Sequence, residues 1–272
     1  MGTGLHLPQE EPSEVTGPDI EALRERFLAY AEAFATREPG QEAHYRLKIE
    51  HSLRVLGLAQ EIARQERLAP DTAELTAMAA LFHDTGRFPQ LRQYRTFSDQ
   101  LSENHARLGV RALLENGLLE GLVPAQRRVI LGAVFLHNAR SLPERLPEPL
   151  SAVTRAVRDA DKLDIIPLLL EHLENAPVLD PVVCLGVTRD PVRYSPALLE
   201  DLEQGRLASY SQIRYENDLR LLAAGWTYDL NYTASRRIFI RQGLLERLFR
   251  TLPPEERLLR LRLRIEADLQ KS

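Results

Sequence analysis

Residues 77–90 read AMAALFHDTGRFPQ, in which an apolar run ends at His83 and Asp84, shortly before Gly86. The run closes a helix predicted over 71–84, and the Thr-Gly pair after it indicates a break at the end of that helix. Because burial penalises charge, two ionisable side chains at this position require a compensating partner. The stretch therefore predicts a helical core with a site built on the end of one of its helices.

Helical periodicity extends along most of the chain on both sides of this stretch. Residues 174–196 break the pattern and predict either a short hairpin near 180–195 or a long loop. Residues 1–17 are predicted to form a flexible tail. The expected fold is all-α, with residues 18–272 as one domain. Helices are predicted near 19–37, 42–67, 71–84, 102–116, 125–138, 148–174, 197–205, 209–224, 233–251 and 254–270.

Composition and charge narrow the classes of function. The chain has 272 residues, of which 44% are apolar and 27% charged, an ordinary globular composition. A net charge of -4 disfavours a nucleic-acid binder that works through bulk basicity. No apolar stretch approaches the length of a membrane span, the first residues lack signal-peptide features, and the single Cys184 has no internal disulfide partner. These features predict a cytoplasmic protein without a membrane partner, and they leave its oligomeric state open, a homodimer included.

Several histidines and aspartates fall on the apolar faces of predicted helices. His51 shares a face with Val55 at i+4, and His105, His137 and Asp161 also align with apolar neighbours. Taken singly, an inward histidine is most often a hydrogen-bonded core residue, and an inward aspartate is a cap or an ion-pair partner. Together with the His-Asp pair, however, at least six ionisable side chains from five helices point inward.

One or two divalent cations would compensate this whole group at once. Neutral imidazole and carboxylate are ligands for Mn, Fe, Ni, Co and Zn, and Mg is a further option. No cysteine lies near these residues in the sequence, which argues against a structural zinc site with thiolate ligands. We therefore predict a site for one or two divalent metal ions.

The ordered set His51, His83-Asp84 and Asp161 resembles the H…HD…D signature of the HD superfamily of metal-dependent phosphohydrolases. The resemblance covers roughly residues 42–175 and leaves a helical extension behind it. It implies an HD-type helical bundle in which those four residues hold the first metal ion.

The resemblance also reaches residues that bear on a second metal ion. His105 and His137 fall where binuclear branches of the family place extra histidine ligands, which implies that Asp84 bridges two ions. The cyclic-dinucleotide phosphodiesterase branch has a lysine where this chain has Arg87, and it carries a GYP signature that is missing here. The resemblance thus implies a binuclear-type branch outside the GYP-containing phosphodiesterases, with residues 197–272 as additional C-terminal helices.

Lysine is scarce in this chain, which draws attention to the lysines near the predicted ligands. Two of the only three lysines, Lys48 and Lys162, flank those ligands in the sequence. We predict that Lys48 and Arg87 contact a substrate phosphate and that Asp84 orients the attacking hydroxide. Lys162 is expected to pair with a supporting carboxylate such as Asp164. The simpler interpretation of each cation is a solvated surface charge.

Two aromatic stretches and the arginine-rich end of the chain are weaker candidates. TFSDQ (96–100) and WTYDLNY (226–232), with Asp99, Asp229 and Asn231, predict either the wall of a base- or sugar-binding pocket or plain core, and core is favoured. Beyond residue 233, leucines at helical spacing favour amphipathic packed helices over a nucleic-acid surface.

Three functions are compatible with these patterns, although neither the substrate nor the metal follows from them. The favoured one is a metal-dependent phosphohydrolase, a phosphomonoesterase or phosphodiesterase, that cleaves a phosphate ester of a nucleotide or another small phosphorylated metabolite through a metal-activated hydroxide. The alternative is a mixed-valent di-iron oxygenase of the same superfamily. A non-catalytic nucleotide-binding or regulatory module is disfavoured, because such a module has no need of all six groups.

Overall fold

The computed structural model describes residues 18–35 and 40–271. The expected tail 1–17 and residues 36–37 of the first predicted helix lie outside these ranges. The all-α prediction is confirmed, since no strand occurs in the described residues. The helices are α1 (Ile20–Ala35), α2 (Glu42–Gln65), α3 (Pro70–Phe82), α4 (Arg87–Tyr94), α5 (His105–Glu115), α6 (Pro124–Leu136), α7 (Leu150–Asn175), α8 (Pro196–Glu203), α9 (Glu216–Gly225), α10 (Thr233–Arg241), α11 (Leu244–Phe249) and α12 (Glu256–Leu269).

Helices α2, α3 and α7 form the centre of the fold and pack extensively against one another. Every residue of α3 from Leu75 to Phe82 is buried, so the last two turns of this helix are covered on all sides. Helix α6 packs on α3 and α7, α5 packs on α6, and α1 covers α2 and α3. Because α3 ends inside this bundle, the polar residues that follow it are held in the interior.

Helix α4 is not among the predicted helices. It is two turns long and polar, with Pro89 in its first turn, where no intrahelical N–H bond is lost. Gly86, which precedes it, has right-handed helical angles, so it is not needed for a left-handed turn. A Cβ at Gly86 would instead lie 2.0 Å from the carbonyl oxygen of His105 and 2.4 Å from the nitrogen of Gly109. The glycine therefore permits the close approach of α5 to the turn after α3.

The hairpin predicted near 180–195 is absent from the described residues, and the loop alternative is the correct one. Thr188 forms an isolated backbone bridge, but its partner is Tyr215, which lies outside the segment. Within the segment, the carboxylates of Asp180 and Asp190 accept bonds from backbone N–H groups two and three residues further on. These local turns compete with strand pairing for the same backbone groups.

Two of the C-terminal helices are shorter than predicted. The segment predicted as helix 233–251 is divided at Gly243, whose φ of +62° ends α10 and starts α11. The helix predicted over 209–224 begins only at Glu216, and a single 3₁₀ turn, Tyr210–Gln212, precedes it.

The C-terminal helices pack onto the central bundle. Helix α10 contacts α7 and α2, while α9 and α11 contact α7. Asp159 on α7 is fully buried, and its carboxylate accepts bonds from the backbone N–H groups of Asn231 and Tyr232. Arginines of the region pair with glutamates, for example Arg257 with Glu203. No helix within the described ranges is long and apolar enough to span a bilayer.

Candidate metal centre

The six predicted ligands lie together at the middle of the bundle, on five helices or directly after them. His51 lies within α2, Asp161 lies within α7, and His105 is the first residue of α5. The others follow the C-terminal ends of their helices, namely His83 and Asp84 after α3, and His137 after α6. Five of the six are buried, and the side chain of Asp161 is 26% exposed.

One group of ligand atoms is formed by His51, His83 and Asp161. The Nε2 atoms of the two histidines are 3.2 Å apart. Asp161 Oδ1 lies 3.1 Å from His51 Nε2 and 3.6 Å from His83 Nε2. Asp84 Oδ2 joins this group at 3.5 Å from His51 Nε2 and 3.8 Å from His83 Nε2. These four residues therefore face a common point.

A second group is formed by Asp84, His105 and His137. The Nε2 atoms of its two histidines are 3.0 Å apart. Asp84 Oδ1 lies 3.5 Å from His105 Nε2 and 3.8 Å from His137 Nε2. The two oxygens of Asp84 thus face different groups, Oδ2 the first and Oδ1 the second.

Two of the histidines are oriented by the helices that they follow. His83 Nδ1 donates to the carbonyl oxygen of Ala80, and His137 Nδ1 donates to that of Val134, each at 2.7 Å. Both carbonyls belong to the last turn of a helix, where no further backbone N–H is available to them. A carbonyl can only accept, so the proton of each neutral imidazole is on Nδ1 and its Nε2 carries a lone pair.

The other two histidines are oriented by carboxylates. His51 Nδ1 donates to Asp164 Oδ2 at 2.7 Å, and His105 Nδ1 donates to Asp99 Oδ2 at 2.7 Å. Arg54 holds Asp164 in turn, with its Nε 2.7 Å from Oδ1. Metal-binding histidines commonly make such bonds with the nitrogen that does not bind the metal.

The donor set fits divalent metal ions. The Nε2 lone pair of His51 faces that of His83. The Nε2 lone pairs of His105 and His137 face each other in the same way. Acceptors at such distances repel one another unless a cation lies between them. Burial and the charge of Lys48 act to lower the pKa of His51, but the Asp161 and Asp164 carboxylates outweigh them and raise it, so a metal ion that binds there displaces a proton. Burial, and to a smaller extent the charge of Arg87, lowers the pKa of His105 to about 3. This imidazole is therefore kept neutral, as a metal ligand must be.

Two cations flank the carboxylate that faces both groups. Lys48 Nζ lies 2.7 Å from Asp84 Oδ2, and Arg87 Nε lies 3.4 Å from Asp84 Oδ1. Burial alone would raise the pKa of Asp84, but Lys48, His83 and Arg87 hold it well below its usual range. Both cations also lie near the ring of Phe97, at 5.3 and 5.7 Å from its centroid. Neither is the solvated surface charge of the simpler interpretation.

Asp99 belongs to the site, although sequence reasoning favoured its stretch as plain core. Phe97 of that stretch is indeed buried in the core, but Asp99 binds His105 and accepts a bond from Asn138 Nδ2 at 3.1 Å. The residue lies in a turn before α5, where helical periodicity gives no information about side-chain direction. The local sequence therefore does not show that Asp99 and His105 are in contact.

The expected pairing of Lys162 with Asp164 is wrong. Lys162 Nζ lies 2.8 Å from Asp229 Oδ2, and Arg158 Nη2 lies 2.6 Å from the same oxygen. Lys162 directly follows Asp161 on α7 and so points about 100° away from the ligand face. Asp229, a candidate for a pocket wall, therefore joins α7 to the C-terminal region, as Asn231 does through Asp159.

Tyr210 lies close enough to the centre to interact electrostatically with Asp161, Arg87 and Asp99, and it was not identified from the sequence. Burial of its hydroxyl end raises the pKa of Tyr210 to about 12, and the nearby Asp161 carboxylate acts in the same direction while Arg87 opposes it. The residue as a whole is 51% exposed. Its loop is held near the second group by a bond of 3.1 Å from Arg140 Nη2 to the carbonyl oxygen of Leu207.

Residues 49–166 match the family model of the HD domain. The matched region contains all six ligand candidates together with Asp99 and Asp164, and it ends before the C-terminal helices. No significant match was found among curated proteins or among solved structures. With the ordered His and Asp residues converging on one buried centre, this match identifies residues 49–166 as an HD domain, and proteins of that superfamily are mostly metal-dependent hydrolases.

Proposed function

We propose that the protein is a phosphohydrolase with a binuclear metal centre, and that it cleaves a phosphate ester of a nucleotide or another small phosphorylated metabolite. The observation that carries this proposal is the position of Asp84, whose two oxygens face two separate groups of ligand atoms. Divalent ions held there would acidify water and neutralise phosphoryl oxygens. In this proposal His51, His83, Asp84 and Asp161 hold one ion, and Asp84 with His105 and His137 holds the second.

The cations beside Asp84 support a phosphate ester as the substrate. Lys48 and Arg87 approach its two oxygens from different sides, so positive charge flanks the space where a phosphoryl group would bind. Substrate phosphate competes with the carboxylate for the mobile ammonium of Lys48. Arg87 is more firmly held, because its Nη1 also donates to Gln90 Oε1 at 2.7 Å. Asp84, kept ionised by these cations, orients the attacking water.

Hydrolysis of model esters tests the proposal. Protein loaded with Mn, Co or Ni is expected to release p-nitrophenol from p-nitrophenyl phosphate or bis(p-nitrophenyl) phosphate, and the preferred ester distinguishes monoesterase from diesterase activity. Asp84→Asn should abolish the release. His172→Ala is the matched control, because it removes a histidine of α7 that bonds only to the carbonyl of Leu168. Metal-loaded protein that hydrolyses neither these esters nor a panel of nucleotides would contradict the proposal.

The di-iron oxygenase is the competing proposal, because imidazole and carboxylate ligands also suit iron. It predicts two iron ions per chain and consumption of oxygen with a candidate substrate, without release of phosphate. Elemental analysis of the purified and metal-loaded protein separates both enzymes from a non-catalytic module, which would bind no transition metal. If His137→Ala retains two ions and full activity, the binuclear assignment is wrong.

A further inference from the structure

A second candidate site lies outside the metal centre and outside the residues that match the HD domain. It is an open cavity of about 410 Å³ between the C-terminal end of α7, the first turns of α9 and the end of α11. Three arginines and two glutamates line it, together with smaller or apolar groups. These charged residues are Arg189, Arg220, Arg250, Glu174 and Glu216.

Arg220 is the unusual member of this group. It is only 3% exposed, and its Nε and Nη1 atoms are buried without a hydrogen-bond partner. No carboxylate of the described residues lies within ion-pair distance of it. The glutamates of the cavity are engaged elsewhere, since Glu174 lies 3.1 Å from Arg250 and Glu216 lies 3.8 Å from Arg189.

A buried guanidinium without a close counter-charge is energetically unfavourable. Burial lowers the pKa of Arg220, and the more distant Glu174 and Glu216 only partly oppose this effect. The other charged residues of the wall form Arg–Glu pairs. The wall of the cavity therefore carries one excess positive charge, that of Arg220. Buried arginines in such surroundings are compensated by an anion, which the planar guanidinium binds through several N–H groups.

We propose that this cavity binds a small organic molecule through an oxyanion group, a phosphate or a carboxylate, that pairs with Arg220. The volume suits a ligand of metabolite size. Arg189 and Arg250, whose side chains are 40% and 55% exposed, lie at the rim and can turn toward the same group. Glu174 and Glu216 then become acceptors for hydroxyl or amino groups of the ligand.

Anion-dependent stabilisation of the full-length protein tests this site. Metal-stripped protein is titrated with inorganic phosphate, and in a second series with succinate, at constant ionic strength while its thermal unfolding is followed. Wild type is expected to show saturable stabilisation by one of the two anions, and that anion identifies the group. Arg220→Met should weaken this binding at least tenfold. Arg241→Met, which removes an exposed arginine paired with Glu61, is the matched control and should bind as wild type does.

The unfolding temperature without anion separates a ligand-binding role from a structural one. Since Arg220→Met removes an uncompensated charge, we expect the ligand-free variant to be at least as stable as wild type. Should that variant fail to fold, the double variant Arg189→Met/Arg250→Met alters only rim residues and is expected to weaken binding about tenfold. The proposal is overturned if stabilisation is unsaturable in wild type, or if it is equal in wild type and in the folded variant. None of these measurements depends on hydrolase activity, so the two proposals fail separately.

Discussion

Hydrogen bonds behind the centre determine which nitrogen of each imidazole is free to bind a metal ion. His83 and His137 are held by carbonyls of their own helices, and substitution cannot remove those acceptors. His51 and His105 depend instead on the side chains of Asp164 and Asp99. The two aspartates support different groups of ligands, so they can be changed one at a time.

Asp164→Asn and Asp99→Asn should therefore weaken different metal sites. Each amide keeps an acceptor for the imidazole but loses the negative charge, so we expect a loss of about 10- to 100-fold in the affinity of one ion. Metal titration followed by calorimetry should show the first site weakened in the Asp164 variant and the second site weakened in the Asp99 variant. Equal losses at both sites in both variants would contradict the separation into two groups.

Tyr210 allows a test of substrate contact that leaves the ligands intact. Tyr210→Phe removes only a hydroxyl, so we expect the metal content to stay unchanged. The kcat/KM for a model ester should fall about 5- to 150-fold, which is the effect of one lost hydrogen bond of about 1–3 kcal/mol. Tyr194→Phe is the matched control, because that hydroxyl bonds to Glu255 away from the centre. Unchanged kinetics in the Tyr210 variant would remove this residue from the proposed site.

Periodicity explains why some site residues follow from the sequence and others do not. His51 and Asp161 lie inside long helices, where spacing alone determines which face they occupy. Asp99 and Tyr210 lie in loop segments whose path depends on the packing of several helices. The pairing of Lys162 failed for a related reason, because its partner is 67 residues away in the C-terminal region.

Between elements, the decisive contact is that of the turn after α3 with the start of α5. This contact determines where His105 lies relative to Asp84, and it depends on the absence of a side chain at Gly86. Helix boundaries were predicted well where a proline begins a helix, as at Pro124. The helix predicted over 102–116 begins three residues later, at His105, where Asn104 caps it, and the Ser102 hydroxyl is bonded to the carbonyl oxygen of Ser98.

Gly86→Ala should disturb both stability and the second metal site. The added methyl group would meet the backbone of His105 and Gly109, which cannot turn aside as a side chain can. We expect a loss of about 2–4 kcal/mol in the free energy of unfolding and weaker binding at the second site. Gly57→Ala is the matched control: it lies on an exposed part of α2 with nothing within 4 Å of its Cβ position, and it should stabilise by about 0.5–1 kcal/mol. Equal stability of the two variants would contradict the proposed role of the close contact.

Across the whole molecule, α7 connects the metal centre to the C-terminal region. Its Asp161 is a candidate ligand and its Asp164 orients His51, whereas its buried Leu169, Leu170 and Leu173 lie toward the end that α9 and α11 contact. The arrangement of α8 to α12 did not follow from the sequence beyond their helical character. It rests on long-range contacts, such as those of Asp159 with Asn231 and Tyr232, that leave no local pattern.

Since α7 is shared in this way, we predict that the chain unfolds as one cooperative unit. Trp226 is the only tryptophan, and it packs against the core from the C-terminal region, so its fluorescence reports on that region. Circular dichroism at 222 nm reports on all the helices and thus mainly on the central bundle. The two probes should give coincident unfolding curves in urea, because loss of the C-terminal helices would expose the apolar end of α7. A lower midpoint for the fluorescence transition would show that the C-terminal helices form a separate unit, and it would contradict the single domain predicted for residues 18–272.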